Sequence, residues 1–199
     1  MQEKKYKMSY TAGALLLHES YVAVDTYFEV GSWTNAKKVI IEENRLQMRM
    51  TSSSKRVASE VIQRLKNLND KQLSFFHTAS RNDQASMLWI AICKNYKFIE
   101  DFAIEIIREK YLKMDYLLED NDYEIFFYNK CEWHLELESL TVLTKKKAQQ
   151  VLFKMLREAD IIDTTNIILG AILSEEFIKL VREDKEATLA VFPLPANML

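Results

Sequence analysis

The chain has 199 residues, 48% of them hydrophobic and 28% charged, with three glycines and two prolines. That much apolar material fills a packed core, and so few turn-formers exclude a strand-rich sandwich or barrel, leaving a mainly helical, all-α fold. The formal net charge of -2 excludes little, but no apolar run reaches about 18 residues, so no membrane-spanning helix and no membrane partner is expected.

In chain order, a first helix is expected over residues 14–30, ended by Gly31 in the left-handed conformation that glycine adopts without strain. Ser32 or Thr34 then caps a second helix. Trp33, Ala36, Val39 and Ile40 share one side of it, Lys37 and Lys38 take the other, and it fades near Asn44. The hydroxyls of Thr51, Ser52, Ser53 and Ser54 offer caps for a third helix to about Asn67, with an apolar stripe of Val57, Ala58, Val61, Ile62, Leu65 and Leu68. Asp70 opens a short helix containing Leu73, Phe75 and Phe76. Residues 87–93 are an unbroken apolar run, as in a helix buried on most sides, and Phe98, Ile99, Phe102, Ala103, Ile106 and Ile107 mark an amphipathic helix.

Acidic and polar residues over 115–122 interrupt this pattern. They set an expected boundary between an N-terminal helical domain, 1–118, and a C-terminal one, 119–199. The second domain holds a helix with Phe126, Phe127 and Cys131. A helix over 141–159 follows, with a stripe of Ala148, Val151, Leu152, Met155, Leu156 and Ala159 and with Phe153 at the stripe's edge. Two short apolar runs, 167–169 and 189–192, are expected to pair as strands of a small β wing near the C-terminus.

Charge is unevenly placed. Residues 32–67 hold eight basic side chains against three acidic ones and residues 144–159 five against one, while 99–139 between them hold twelve acidic against four basic. Shifting the chain against itself by 90 residues aligns Ser54, Lys55 and Arg56 with Thr144, Lys145 and Lys146, Ala58 with Ala148, Val61 with Val151, and Arg64 with Lys154. Both helices read as a hydroxyl cap, cations in the first turn, one buried stripe and a basic outer face. Cations there oppose the helix dipole by about 0.3 to 1 kcal/mol each, a penalty that an anionic partner reverses.

The pair of helices points to double-stranded DNA, with leading residues entering the major groove in helix-turn-helix fashion. Lys37, Lys38, Arg49, Ser53, Ser54, Lys55, Arg64, Thr144, Lys145, Lys146, Lys147, Lys154 and Arg157 are the expected phosphate contacts, and Arg56, Gln63 and Gln150 are placed to meet base edges.

No phosphate-cradling glycine loop and no nucleophile elbow is present, and Gly13, Gly31 and Gly170 are too scattered to build one. His18, His77 and His134 lie far apart without metal-ligand spacing, so no metal, cofactor or catalytic group is expected. Cys93 and Cys131 show neither metal nor redox spacing and read as reduced packing residues. Residues 1–7 lack the pattern of a secretory leader, so a cytoplasmic location is expected.

The run Tyr10-Thr11-Ala12-Gly13-Ala14-Leu15-Leu16-Leu17 with Glu19, then Trp33, then Glu42-Glu43-Asn44-Arg45-Leu46-Gln47, resembles the opening of the BrxA family of BREX phage-defence systems. Arg56, Arg64-Leu65 with Leu68, Leu88-Trp89-Ile90-Ala91 with Cys93, Phe98-Ile99-Glu100-Asp101-Phe102-Ala103 with Arg108-Glu109, and Thr144 with Lys147 continue the likeness. It is strongest before residue 112 and loose after Ile161. The resemblance implies a small, nearly all-helical, non-enzymatic protein. It further implies two helix-turn-helix-like elements and DNA-binding capacity, beside the system's methyltransferase and ATPases. Members of the family have also been described as inner-membrane proteins, which the absence of a spanning segment here opposes. Two alternatives stand beside DNA binding. One is a protein adaptor docking other BREX subunits through Asp115, Glu119, Asp120 and Asp122 in the acidic middle segment. The other is RNA binding by the N-terminal domain.

Overall fold

The computed structural model describes residues 5–185 and 187–198. After a 3-10 turn, Ser9–Ala12, helix α1 (Leu17–Val30) begins three residues later than its apolar pattern suggested. Leu16 takes a left-handed φ of 59° there and redirects the chain. The helix ends on Gly31, φ 68°, whose N–H donates to the Tyr27 carbonyl. α2 (Trp33–Glu42) and α3 (Thr51–Leu65) follow, and α1, α2 and α3 pack on one another.

α4 (Asp70–Thr78) starts on a reciprocal cap in which Asn69 accepts from Gln72 N–H and Gln72 accepts from Asn69 N–H. α5 (Arg81–Asn95), capped by Ser80, is the central helix, and Ala85 through Cys93 are all buried. Ser86 is the one polar side chain among them, so this stretch has no polar face to turn outward, which is why the helix lies inside. The amphipathic segment after it is a composite: α6 (Lys97–Phe102), a π turn (Ala103–Arg108) and α7 (Glu109–Leu112). The wider turn keeps Ala103 and Ile107 buried at a four-residue interval.

α8 (Asp120–Cys131), the short α9 (Leu135–Glu138), α10 (Val142–Glu158) and α11 (Glu175–Glu183) complete the helices, with 3-10 turns at Leu189–Val191 and Ala196–Met198. The core is one connected cluster drawn from both sides of residue 118. Phe98 packs edge-on against Phe126 and Phe127, and Trp89 Nε1 donates to the Val191 carbonyl at 3.0 Å. Phe153 is buried, edge-on to Tyr123.

The expected wing takes a different form. Residues 189–191 form a 3-10 turn instead of a strand. Residues 167–169 pair instead with two other segments, in isolated antiparallel bridges of Ile162 with Ile168 and Leu117 with Ile167. Asp163 supports the local bridge of Ile162 with Ile168: its carboxylate accepts from the N–H groups of Thr165 and Ile167 and closes the turn. Those hydrogen bonds hold its carboxyl below the usual carboxylate range. Among the described residues, no helix is long and apolar enough to cross a membrane.

Candidate nucleic-acid interface

The outer side of α3 is basic because its one acid is turned inward. Glu60 is buried, whereas Lys55, Arg56, Gln63 and Lys66 are exposed, with Ser52 and Ser53 in the first turn and Arg49 just ahead of it. None of Arg49, Lys55, Arg56 and Lys66 forms an ion pair among the described residues. Arg56 has one long hydrogen bond, Nη2 to the Thr11 carbonyl at 3.4 Å. Lys66 was absent from the expected contacts, although at 100° per residue it falls between Lys55 and Gln63 on the outer arc.

Two of the expected contacts on α3 lie inside the protein. Ser54 is 1% exposed and faces the core. Arg64 is also 1% exposed and is consumed internally: Nε donates to Glu60 Oε1 at 2.7 Å, Nη1 to the Ala14 carbonyl at 2.6 Å and Nη2 to the Gly13 carbonyl at 3.1 Å. A buried guanidinium needs its charge and its donors matched, and this network matches them. Tyr96 completes it, donating to Glu60 Oε1 at 2.5 Å. Burial first, then the Glu60 carboxylate, pushes the Tyr96 hydroxyl pKa far above its ordinary value.

The caps also differ from expectation. Met50 occupies the N-cap of α3 and supplies no side-chain acceptor. On α10 the cap is Thr141, whose hydroxyl accepts from Thr144 N–H at 3.2 Å. Lys55, Arg56 and Lys146 therefore lie in the second turn rather than the first, where the dipole penalty has largely decayed, and Lys145 sits at the end of the first turn of α10.

On α10, Lys146, Lys147, Gln150 and Lys154 are exposed. Lys154 pairs loosely with Glu158 at 3.6 Å, and Arg157 donates to Asn166 Oδ1 at 2.8 Å. Lys145 is drawn back over the rings of Phe127 (5.0 Å) and Tyr128 (5.9 Å), a cation–π arrangement that takes it off the outer face. Val142 and Leu143 project from the first turn. On α2, Lys37 is half-buried and Lys38 approaches Glu42 at 4.0 Å.

One short turn joins the two basic helices. Arg64 of α3 holds the carbonyls of Gly13 and Ala14, while Glu158 of α10 accepts from the N–H of the next residue, Leu15, at 2.7 Å. Much of the acidic middle segment is occupied internally. Lys110 bridges Asp115 (2.6 Å) and Asp122 (3.1 Å), Lys130 holds Glu105, and Asp120 accepts from Gln149. The thiols are not activated: burial pushes the Cys93 pKa well up, and burial also raises that of Cys131 against the opposing pull of Lys145. No cluster of metal-ligating side chains occurs among the described residues.

Fold and surface together define an all-α protein that displays two outward basic helices braced against one turn. The chain belongs to the BrxA family, whose sequence profile matches residues 4–185. It is 30% identical over 123 residues to a Bacillus cereus (strain H3081.97) protein named BREX protein BrxA; the alignment spans 62% of this chain and 62% of that relative. The fold is shared with an uncharacterized protein from Magnetospirillum magneticum whose crystal structure matches with a TM-score of 0.79 at 20% identity, covering 94% of this chain and 96% of the other.

Proposed function

We propose that this chain is a non-enzymatic, double-stranded-DNA-binding component of a BREX phage-defence system, working alongside the system's other subunits. The observation that carries the reading is the outer face of α3: four cations within and immediately flanking the helix, no exposed carboxylate on it, and no ion pair among the described residues to neutralise them. Unpaired, ordered cations on a helix face repel one another, and phosphates relieve that repulsion. α1, α2 and α3, packed together, hold α3 outward as a helix-turn-helix holds its recognition helix. α10 offers the second contact through Lys146, Lys147 and Gln150. The adaptor reading loses support because Asp115 and Asp122, two of its four anchors, already share Lys110.

The test is a titration with duplex DNA from low to physiological salt. For the wild type, log affinity should fall linearly with log salt, and the slope should shrink by about 0.9 for each contacting cation removed. The Lys55→Gln, Arg56→Gln, Lys66→Gln triple variant should lose about 2.7 of that slope. Its thermal midpoint should not move, since these side chains are exposed. Absence of binding at low salt, or an unchanged slope in the variant, overturns the proposal.

A further inference from the structure

α10 opens on two aliphatic side chains left exposed among the described residues. Val142 is 79% exposed and Leu143 81%, at the first two positions of a helix whose start is fixed by the Thr141 cap. Soluble proteins scatter single exposed aliphatics freely, but these two are adjacent and share a side with charge. At 100° per residue, Val142, Leu143, Lys146, Lys147, Gln150 and Lys154 fall within an arc of about 140°. The helix's one acid, Glu158, lies at its far end and is engaged by Lys154 and Leu15 N–H. The face therefore reads, from its tip backward, as apolar, then cationic.

That order selects an occupant. An apolar partner alone would leave Lys146 and Lys147 to be desolvated without compensation, and an anionic surface alone would leave Val142 and Leu143 against water. The DNA major groove meets both demands at the right depths: thymine C5-methyl groups line its floor and phosphates line its walls. A helix entering tip first brings its leading residues to base edges and its second turn to the backbone. We propose that Val142 and Leu143 read thymine methyls, making α10 a methyl-sensing helix, with Lys146 and Lys147 on the flanking phosphates. This rests on the DNA-binding reading above and adds a chemical specificity to it. α3 carries no such tip: Thr51 and Ser52 stand at its first two positions, so its leading turn makes hydrogen bonds and lacks an exposed aliphatic pair.

The probe is a pair of duplexes of identical thymine-rich sequence, one with deoxyuridine replacing every thymidine. The replacement deletes the methyl groups and leaves charge and base pairing intact. Wild type should bind the thymine duplex about three- to fivefold more tightly for each methyl covered. The Val142→Ser, Leu143→Ser double variant should bind both duplexes alike, with its salt slope and thermal midpoint unchanged. A Thr51→Ala, Ser52→Ala variant should keep the wild-type ratio. Equal wild-type affinity for the two duplexes, or a ratio that survives the double substitution, overturns the methyl contact while leaving DNA binding in place. A wild type that binds neither duplex at low salt overturns both.

Discussion

α3 and α10 resemble each other in sequence yet are held in place by different forces. α3 starts on Met50 without a side-chain cap, and it is fixed from within by Arg64, Glu60 and Tyr96 and by packing against α1, α2 and α5. α10 caps itself through Thr141; Lys146 and Lys147 stay in water, Lys145 lies on rings of α8, Lys154 pairs loosely with Glu158 and Arg157 donates to Asn166. The 90-residue alignment pairs Arg64 with Lys154, but the first is 1% exposed while the second has a side chain 65% exposed. Matching charge in matching register thus does opposite things. At one position it ties a helix to the core, and at the other it decorates a surface.

The sharpest way to break that contrast is to remove each member of the Arg64 and Lys154 pair. Arg64→Ala leaves Glu60 buried without its partner and should cost about 3–5 kcal/mol, measured by denaturant unfolding. Lys154→Ala removes an exposed ion pair and should change stability by no more than about 0.5 kcal/mol. Similar losses for the two would mean that α3 and α10 are held alike after all. The caps give a smaller difference. Thr141→Ala should cost about 1 kcal/mol, whereas Thr51→Ala should fall within a few tenths, because Thr51 already lies inside α3 and caps nothing. Comparing their thermal midpoints sharpens the assignment of where each helix begins.

Elements that announce themselves by pattern alone were legible. The apolar run over 87–93 could only be an interior helix, and Gly31 could take the left-handed turn that ends α1. The outer faces of α3 and α10 followed in part from helical spacing: Lys55, Arg56, Gln63, Lys146, Lys147 and Gln150 are all exposed, but Glu60, which the same spacing puts on the outer side of α3 with Arg56 and Gln63, is buried. What pattern could not reveal was tertiary rescue of polar groups. Arg64 reads as a surface cation until the Gly13 and Ala14 carbonyls, 50 residues away in sequence, arrive to meet it. Its place at the edge of the apolar stripe beside Val57, four residues after Glu60, was the available signal. Residues 167–169 had the composition of a strand, but their partner was set by the Asp163 turn and by Tyr116 and Leu118, which no local periodicity marks. The π turn likewise leaves only a faint trace, since Ala103, Ile106 and Ile107 suit either helical geometry.

The turn at residues 13–15 fixes the separation of the two basic helices, because Arg64 and Glu158 grip its successive residues from opposite elements. Two contacts on a rigid gauge behave as one bivalent ligand: once the first is made, the second occurs at an effective concentration set by geometry rather than by diffusion. Where both helices meet the same duplex, avidity would appear abruptly as the DNA becomes long enough to span the gauge. Loosening the turn would then cost affinity without touching a single contact.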